Sequence, residues 1–345
     1  MAKVSSFLAL VLMGLLALLW LTSQDPIEDA FTRLPPGQFL ALDPLAVEEI
    51  AALKLHHLLA RRPMDVLLLG NSRPLPVTAS LMGVSADRFF NASLTGESLR
   101  SSVLMLERLA EADRAPKLAI VTFDNAELQY YSQPAWPRLK LRWRAAVQDI
   151  RAGVMRPDIS RVELARTVSR HVANEAGLLI RALTFTRVWR GVGIVLRRIT
   201  HGDDSSYAPH SADAGYNADG SRDTAPVRRP YVARPLPVAN RNVLPGYLSY
   251  DLERLAALSA RGTRVVLFES FLNPDLVRQY LARPSQVAAD TREHLVRLCA
   301  LHNLECHTAP AVGSTEVPWP DEGHPPATML APYLRAFVAD GIAKR

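Results

Sequence analysis

The stretch Val66-Leu67-Leu68-Leu69-Gly70-Asn71-Ser72 decides the fold, because a short apolar run stops abruptly at glycine and two polar residues. A run of this length, preceded by Pro63 and followed by glycine, is typical of a strand buried on both faces of a parallel sheet. The residues before it, 42–62, carry leucine and isoleucine at helical spacing and predict a helix. A polar loop therefore follows a buried strand at Ser72.

The rest of the chain repeats this alternation. Further strands are predicted at 88–91, 118–123, 264–268 and 304–308, and further helices at 97–109, 252–260, 286–302 and 327–342. Strands that alternate with helices indicate an α/β fold with a doubly wound parallel sheet. Ligands of such sheets bind outside the carboxyl ends of the strands, and Ser72, Gly96 and Asn125 each lie just past a predicted strand.

Composition places the chain among folded, slightly basic proteins. Its 345 residues are 48% hydrophobic and 21% charged, which excludes full disorder, a collagen-like repeat and a polytopic membrane protein. A net charge of +6 is too mild and too dispersed to indicate nucleic-acid binding, so no nucleic-acid partner is predicted. Two cysteines exclude a disulfide scaffold and a four-thiolate zinc site, and no metal or cofactor is predicted.

The N-terminal unit, residues 1–24, contains an uninterrupted apolar run over 7–21. This run suits either a short membrane-spanning helix or the hydrophobic part of a signal peptide. Bulky residues at Leu19-Trp20-Leu21, where a cleavable signal needs small ones, favour the uncleaved anchor. Because Lys3 precedes the run and acidic residues follow it, we expect a single-pass inner-membrane protein whose main domain lies in the periplasm.

The remainder divides into a linker and leading helix (25–62), a first part of the α/β domain (63–125), an insertion (126–245) and a second part (246–345). Within the insertion, residues 133–200 carry 14 basic and 4 acidic side chains and predict amphipathic helices, whereas 201–245 reads as a long irregular loop. The basic helices are either solvated faces or a surface for anionic lipid headgroups, a membrane partner or an acidic glycan.

Two further features each leave alternatives open. Cys299 and Cys306 could form a disulfide in an oxidising compartment, although two buried free thiols fit the pattern as well. Asp321 precedes His324 by three residues on the loop that enters the last helix, so its carboxylate can orient the imidazole as a base for a nearby serine. Such spacing also arises by chance, as a loop histidine beside a surface aspartate.

Three blocks together resemble the motifs of the SGNH/GDSL hydrolase superfamily. The stretch 68–73, Leu-Leu-Gly-Asn-Ser-Arg, resembles the Gly-Asp-Ser block that carries the nucleophile, and 90–98 resembles the second block, whose glycine supplies an oxyanion-hole N–H. Asp321-x-x-His324 resembles the fifth block, because it follows the last strand and opens the last helix. The resemblance covers 64–125 and 262–342, and it implies a flavodoxin-like sheet of the SGNH-hydrolase type.

By this resemblance, residues that are far apart in the chain form one site. Ser72 would be the nucleophile, His324 the general base and Asp321 the carboxylate that orients it. The backbone N–H groups of Ser72 and Gly96 would bind the oxyanion, and Asn125 is the nearest counterpart of the family's asparagine donor.

The sequence departs from the family's pattern at two places. Asn71 stands where the first block usually has aspartate, which removes a charge beside the nucleophile. No glycine accompanies Asn125 in Thr122-Phe123-Asp124-Asn125, which departs from the Gly-x-Asn-Asp pattern that supplies the family's third oxyanion donor. Loss of one such donor costs about a hundred- to a thousandfold in rate in other acyl-transfer enzymes.

Other candidate residues point to structure. His56 and His57 lie beside apolar residues and indicate helix packing, and His294, His302 and His307 are spread too widely to predict zinc binding. Asn91-Ala92-Ser93 is formally a glycosylation sequon, but it overlaps the predicted oxyanion turn.

The implied function is acyl-ester chemistry outside the cytoplasmic membrane, with water (esterase) or a sugar hydroxyl (acyltransferase) as acceptor. By resemblance, the first expectation is action on O-acyl, commonly O-acetyl, groups of cell-surface polysaccharide, with a multi-pass membrane acyltransferase as an implied partner. The alternatives are a lipid or lysophospholipid esterase, and a catalytically reduced SGNH scaffold that assembles with envelope-polysaccharide machinery.

Overall fold

A five-stranded, all-parallel sheet organises the chain. The computed structural model describes residues 13–14, 16–17, 47–95, 99–123, 139–182, 192, 196, 199–200, 219–222, 245–271, 286–308, 319 and 324–343. Its strands are β1 (Val66–Leu69), β2 (Phe89–Asn91), β3 (Leu118–Phe123), β4 (Arg264–Glu269) and β5 (Glu305–His307). Within the described ranges its helices are α1 (Val47–Ala60), α2 (Leu99–Glu111), α3 (Leu139–Met155), α4 (Arg161–Ala182), α5 (Pro245–Ala260), α6 (Gln286–Leu301) and α7 (Ala327–Ala343).

The strand order is β2-β1-β3-β4-β5, and the α/β prediction is confirmed. The chain moves outward from β1 to β2 and then returns to place β3 on the other side of β1. A crevice forms beyond the carboxyl ends of the strands where the direction of winding reverses, here between β1 and β3. The loops that follow Leu69 and Phe123 therefore border the place where a ligand is expected.

Helices cover both faces of the sheet. Leu67 and Leu69 of β1 belong to a core that includes side chains of α1, α2, α5 and α6. Val66 and Leu68 point the other way, into a second core that includes side chains of α7. Burial on both faces explains why β1 is a continuous apolar run without the alternation of a half-exposed strand.

Among the described residues, one predicted helix boundary is wrong by more than two residues. The helix predicted at 252–260 begins seven residues earlier, at Pro245. Proline is tolerated in the first turn of a helix, because its missing N–H would have no partner there. Tyr247 and Leu248, in the extra turns, are buried and extend the core.

Buried charges attach the insertion helices to the α/β domain. Arg100 of α2 pairs with Asp149 of α3 and lies 3.6 Å from Asp251 of α5. The Nε2 atom of His171 on α4 lies 2.8 Å from the Oδ2 atom of Asp149. Since these groups come from four helices and Arg100, Asp149 and Asp251 are almost fully buried, loss of one partner would leave an uncompensated charge. Helices α3 and α4 are thus tied to the helices that cover the sheet.

Cys299 and Cys306 form a disulfide between α6 and β5, with Cα atoms 6.2 Å apart. Of the two alternatives that the sequence left open, the structure contains the bridge. The bond ties the edge strand β5 to the helix that precedes it.

The Cys299→Ser/Cys306→Ser variant is expected to unfold more easily than the wild type by about 2–3 kcal/mol. The bridge closes a short loop, with a sequence separation of 7, so the entropy that it removes from the unfolded chain is modest. Urea unfolding of both proteins measures the difference, and dithiothreitol should shift the wild type alone. An unchanged midpoint in the variant would contradict the prediction.

His57 makes the stability of the fold depend on pH. Burial lowers its pKa from 6.5 to about 4, with further contributions from Arg61 and His56. The pKa of His57 is lower in the folded protein than in the unfolded chain, so protonation favours unfolding. The stability that the neutral imidazole contributes is therefore complete above pH 6.5 and is lost as the pH falls toward 4. The size of the shift corresponds to about 3 kcal/mol.

A His57→Phe variant should lose this part of the acid sensitivity. Phenylalanine keeps a ring against Phe90, whose ring centroid lies 4.9 Å from that of His57. Urea unfolding between pH 7 and 4 is the measurement. A variant whose stability falls with acid as steeply as that of the wild type would rule the assignment out.

Among the described residues, no helix combines the length and the apolar character needed to cross a membrane. The predicted anchor, residues 1–24, lies outside them apart from residues 13, 14, 16 and 17.

Candidate active site

Ser72 and His324 meet at the carboxyl end of the sheet, although 252 residues separate them in the chain. The Oγ atom of Ser72 lies 2.6 Å from the Nε2 atom of His324. Ser72 belongs to the loop after β1, and His324 lies three residues before α7. Both side chains are half-buried, so the pair is shielded but reachable from solvent.

The turn that carries Ser72 is built by its neighbours. The Oδ1 atom of Asn71 accepts a hydrogen bond of 3.0 Å from the N–H of Arg73, as in an Asx turn. The carbonyl of Ser72 accepts one of 3.3 Å from the N–H of Leu75. Asn71 is buried, and an amide oxygen there provides the acceptor that a carboxylate would otherwise supply without adding a negative charge beside Ser72.

Pairing between β1 and β2 continues past both strands toward the Ser72 loop. The N–H of Ala92 donates to the carbonyl of Leu68 at 2.7 Å, and the N–H of Leu94 donates to the carbonyl of Gly70 at 2.9 Å. The segment after β2 therefore runs beside the last residues before Ser72. This is the segment that leads toward Gly96.

Asn91, at the end of β2, holds the segment that follows Ser72. Its buried Nδ2 donates to the carbonyls of Pro74, Leu75 and Val77 at 2.7, 3.2 and 2.9 Å, and its Oδ1 accepts from the N–H of Ser93 at 3.1 Å. A glycan would be attached at the same nitrogen, which is buried and already bonded. Asn91 therefore positions the loop, and its sequon cannot be used in the folded protein.

Lys54 of α1 supports the same region from inside the protein. Its Nζ is fully buried and donates to the carbonyls of Asn91, Ser93 and Gly220 at 2.9, 2.7 and 2.8 Å. Burial lowers the pKa of this amine well below its ordinary value, while the nearby Asp219 partly opposes that shift. Three acceptors match the three donors of an ammonium group, which is the form that makes all of these bonds.

A short segment of the insertion, 219–222, packs against the loop after Ser72. The carbonyl of Asp219 accepts from the N–H of Asn91, and its Oδ2 accepts from the N–H of Ala79, both at 2.6 Å. The N–H of Arg222 donates to the carbonyl of Leu75 at 2.9 Å. Sequence reasoning assigned this segment to an irregular loop, yet here it is buried support for the Ser72 region.

Neither Lys54 nor Asp219 was predicted to matter. The only signal for Lys54 was a lysine within the apolar helical stretch Leu53-Lys54-Leu55, and the signal for Asp219 was Asp219-Gly220, a turn pair, inside the loop. Gly220 has φ of +76°, and a Cβ there would collide with the carbonyl of Asn91 and the ring of Phe90. A glycine is therefore required at this close approach.

The described part of the site holds a serine–histidine pair, and the other three predicted members are not among the described residues. Gly96, Asn125 and Asp321 fall outside the described residues. In the described part of the chain, no group of three or more His, Cys, Asp or Glu side chains could hold a metal ion. The chemistry available from the described atoms is transfer of the hydroxyl proton of Ser72 to His324, which would turn the serine into a nucleophile.

Gly70→Ala is expected to destabilise the fold by about 3 kcal/mol and to disturb the Ser72 loop. Gly70 has φ of +139°, and a Cβ there would overlap the Oγ1 of Thr122 and lie 2.6 Å from the carbonyl oxygen of Thr122. Backbone cannot move aside as a flexible side chain can, so the two strands would have to separate.

Gly83→Ala is the matched control for this substitution. Gly83 also has a positive φ, of +67°, but the nearest atom to its Cβ position is the Arg335 Cδ at 3.4 Å. The Gly83→Ala substitution should lower the free energy of unfolding by about 1–2 kcal/mol, from backbone strain alone. Thermal unfolding of the two variants compares them, and equal losses would show that the contact with Thr122 contributes nothing.

Comparisons of this chain with protein-family models, with curated proteins and with solved structures found no significant match.

Proposed function

We propose that this protein is a serine-dependent acyl-ester hydrolase or acyltransferase of the SGNH/GDSL type, with Ser72 as nucleophile and His324 as general base. The observation that carries the proposal is the 2.6 Å separation between Ser72 Oγ and His324 Nε2. Two further facts support it. The strand order is that of flavodoxin-like sheets, and the pair lies at the carboxyl end of β1, beside the reversal point.

In the proposed reaction, Ser72 Oγ attacks the ester carbonyl as its proton passes to His324 Nε2. A new C–O bond forms and the carbonyl electron pair moves to oxygen, giving a tetrahedral oxyanion for the N–H groups of Ser72 and, by resemblance, Gly96 and Asn125. Collapse breaks the original ester C–O bond, and His324 returns the proton to the departing alcohol. Water or a sugar hydroxyl then attacks acyl-Ser72 by the same steps in reverse, while Asp321 would orient the imidazole.

The proposed location is the periplasmic side of the inner membrane. The Cys299–Cys306 disulfide supports it, because such bonds persist in oxidising compartments and are rare in the cytosol. The apolar run in residues 1–24 would supply the membrane anchor. The proposed substrates are O-acyl groups, above all O-acetyl groups, of cell-surface polysaccharide, with a multi-pass membrane acyltransferase as partner.

The test is labelling of the full chain in detergent with a fluorophosphonate probe, followed by turnover of p-nitrophenyl esters of increasing chain length. Wild type and Ser80→Ala should be labelled and Ser72→Ala should not, since Ser80 lies in the same loop and bonds only to Thr78 among the described side chains. Preference for acetyl esters supports glycan chemistry, whereas preference for long acyl chains indicates a lipid esterase. A wild-type chain that is neither labelled nor active would leave the scaffold role as the better account.

A further inference from the structure

Helix α3 exposes apolar side chains where a solvated helix would carry charges. Val147, Ile150, Val154 and Met155 have exposed fractions of 59%, 41%, 60% and 67%. Their spacing of three and four residues places them on one face, while Ala145, Asp149 and Ala152 on the opposite face are buried. The outward face of α3 from Val147 to Met155, about two and a half turns, is therefore apolar apart from Arg151.

Among the described side chains of α3 and α4, three arginines are exposed, whereas Asp149 and Glu163 are buried. Arg151 on the exposed face of α3, and Arg161 and Arg166 on α4, are exposed and form no ion pair with another described residue. These two acidic groups have partners inside the protein: Asp149 pairs with Arg100, and Glu163 accepts a hydrogen bond from the N–H of Gly246.

Helix α4 repeats the combination of exposed apolar and basic residues. Val162 and Val172 have exposed fractions of 58% and 64%, with Arg166 between them in the chain. The surrounding stretch 133–200 has a net charge of +10, larger than the +6 of the whole chain. Apolar side chains flanked by arginines are typical of helices that lie in the boundary between headgroups and acyl chains.

We propose that the exposed face of α3 and α4 lies on a bilayer surface that contains anionic phospholipids. Its valines, Ile150 and Met155 would enter the headgroup boundary, and Arg151, Arg161 and Arg166 would contact phosphates. A second copy of this chain would present the same basic face and would be repelled. An acidic glycan could pair with the arginines but would not bury the exposed apolar side chains. The inference takes its nearness to the membrane from the anchor in the proposed function, and it is independent of the chemistry of Ser72.

The experiment uses the full chain reconstituted in vesicles, with p-benzoylphenylalanine in place of Ile150. Position 333 is the matched control, because Tyr333 is exposed to a similar degree, 44%, on α7. After illumination, lipid adducts at position 150 should be about tenfold more abundant in vesicles rich in phosphatidylglycerol than in pure phosphatidylcholine. Position 333 should give few adducts in either.

Charge reversal on the face provides a second measurement. Arg151→Glu/Arg166→Glu should abolish the excess of adducts at position 150, whereas Arg261→Glu, at an exposed turn after α5, should not. Equal adducts in both vesicles, or crosslinks to a second protein chain in place of lipid, would overturn the inference.

Vesicle flotation separates the failure of this inference from the failure of the anchor. A chain that floats with both vesicles but gives no adduct at position 150 overturns the bilayer face alone. A chain that floats with neither kind of vesicle would contradict the proposed membrane anchor as well as the bilayer face. Fluorophosphonate labelling of Ser72 is measured in the same samples. It should not differ between the two vesicle compositions or between the wild type and the surface variants.

Discussion

Ser72→Ala is expected to lower ester turnover by roughly 10⁶-fold, to the level supported by substrate binding and oxyanion stabilisation alone. In the proposed mechanism the Oγ atom of Ser72 forms the bond to the acyl carbon, and alanine offers no atom in its place. The Oγ lies 2.6 Å from His324 Nε2, and removal of a half-buried hydroxyl leaves the packing around it unchanged. Thermal unfolding should therefore match that of the wild type within about 0.5 kcal/mol.

His324→Gln tests whether the two side chains act as one unit. Glutamine can accept a hydrogen bond but cannot take a proton at neutral pH, so turnover should fall almost as far as in Ser72→Ala. Because either loss disables the same step, the double variant should be no slower than Ser72→Ala alone. Additive losses would show that Ser72 and His324 act independently and would contradict the nucleophile–base pair.

His302→Gln provides the control for loss of an imidazole. His302 directly follows α6, and its backbone N–H donates to the carbonyl of Leu298 on that helix at 3.0 Å. Its turnover should equal that of the wild type. If Ser72→Ala also keeps full turnover, the activity belongs to another group, and the assignment of Ser72 as nucleophile is wrong.

The sheet could be predicted from the sequence because its strands are local signals. Residues 118–123 form an apolar run that coincides with β3, and the run at 66–69 coincides with β1. Burial on both faces makes such strands uniformly apolar, and turn residues bound them. The boundaries that were missed, as at Pro245, lie where a residue is compatible with both loop and helix.

The resemblance to the SGNH/GDSL blocks, together with the position of both residues in the fold, predicted that Ser72 meets His324, whereas nothing in the sequence predicted the support beneath Ser72. Both residues adjoin elements that the alternating pattern located, and parallel strands bring such loops to one edge. Lys54 and Asp219 act through backbone carbonyls and amides, which every residue possesses. A pattern of side-chain types therefore carries no sign of which carbonyls a buried lysine will reach.

Lys54→Met is expected to reduce the free energy of unfolding by about 4 kcal/mol and to lower ester turnover in the protein that remains folded. Methionine fits the volume of the lysine stem but donates no hydrogen bond, so the carbonyls of Asn91, Ser93 and Gly220 each lose a buried donor. Removal of a buried charge returns part of its desolvation cost, which keeps the loss below the sum of three bonds. The Nδ2 of Asn91 also holds the carbonyls of Pro74 and Leu75, just after Ser72. A shift of Asn91 would therefore disturb the Ser72 loop and lower turnover.

Lys117→Met is the matched control, because Lys117 is 64% exposed and its Nζ lies 2.8 Å from Asp65 at the surface. An exposed ion pair contributes less than about 1 kcal/mol, so this variant should unfold close to the wild type and keep its turnover. Urea unfolding and p-nitrophenyl acetate turnover of the full chain provide both readouts. If the two methionine variants were equally stable and active, the three bonds of Lys54 would add nothing, and the Ser72 loop would depend on its own turn alone.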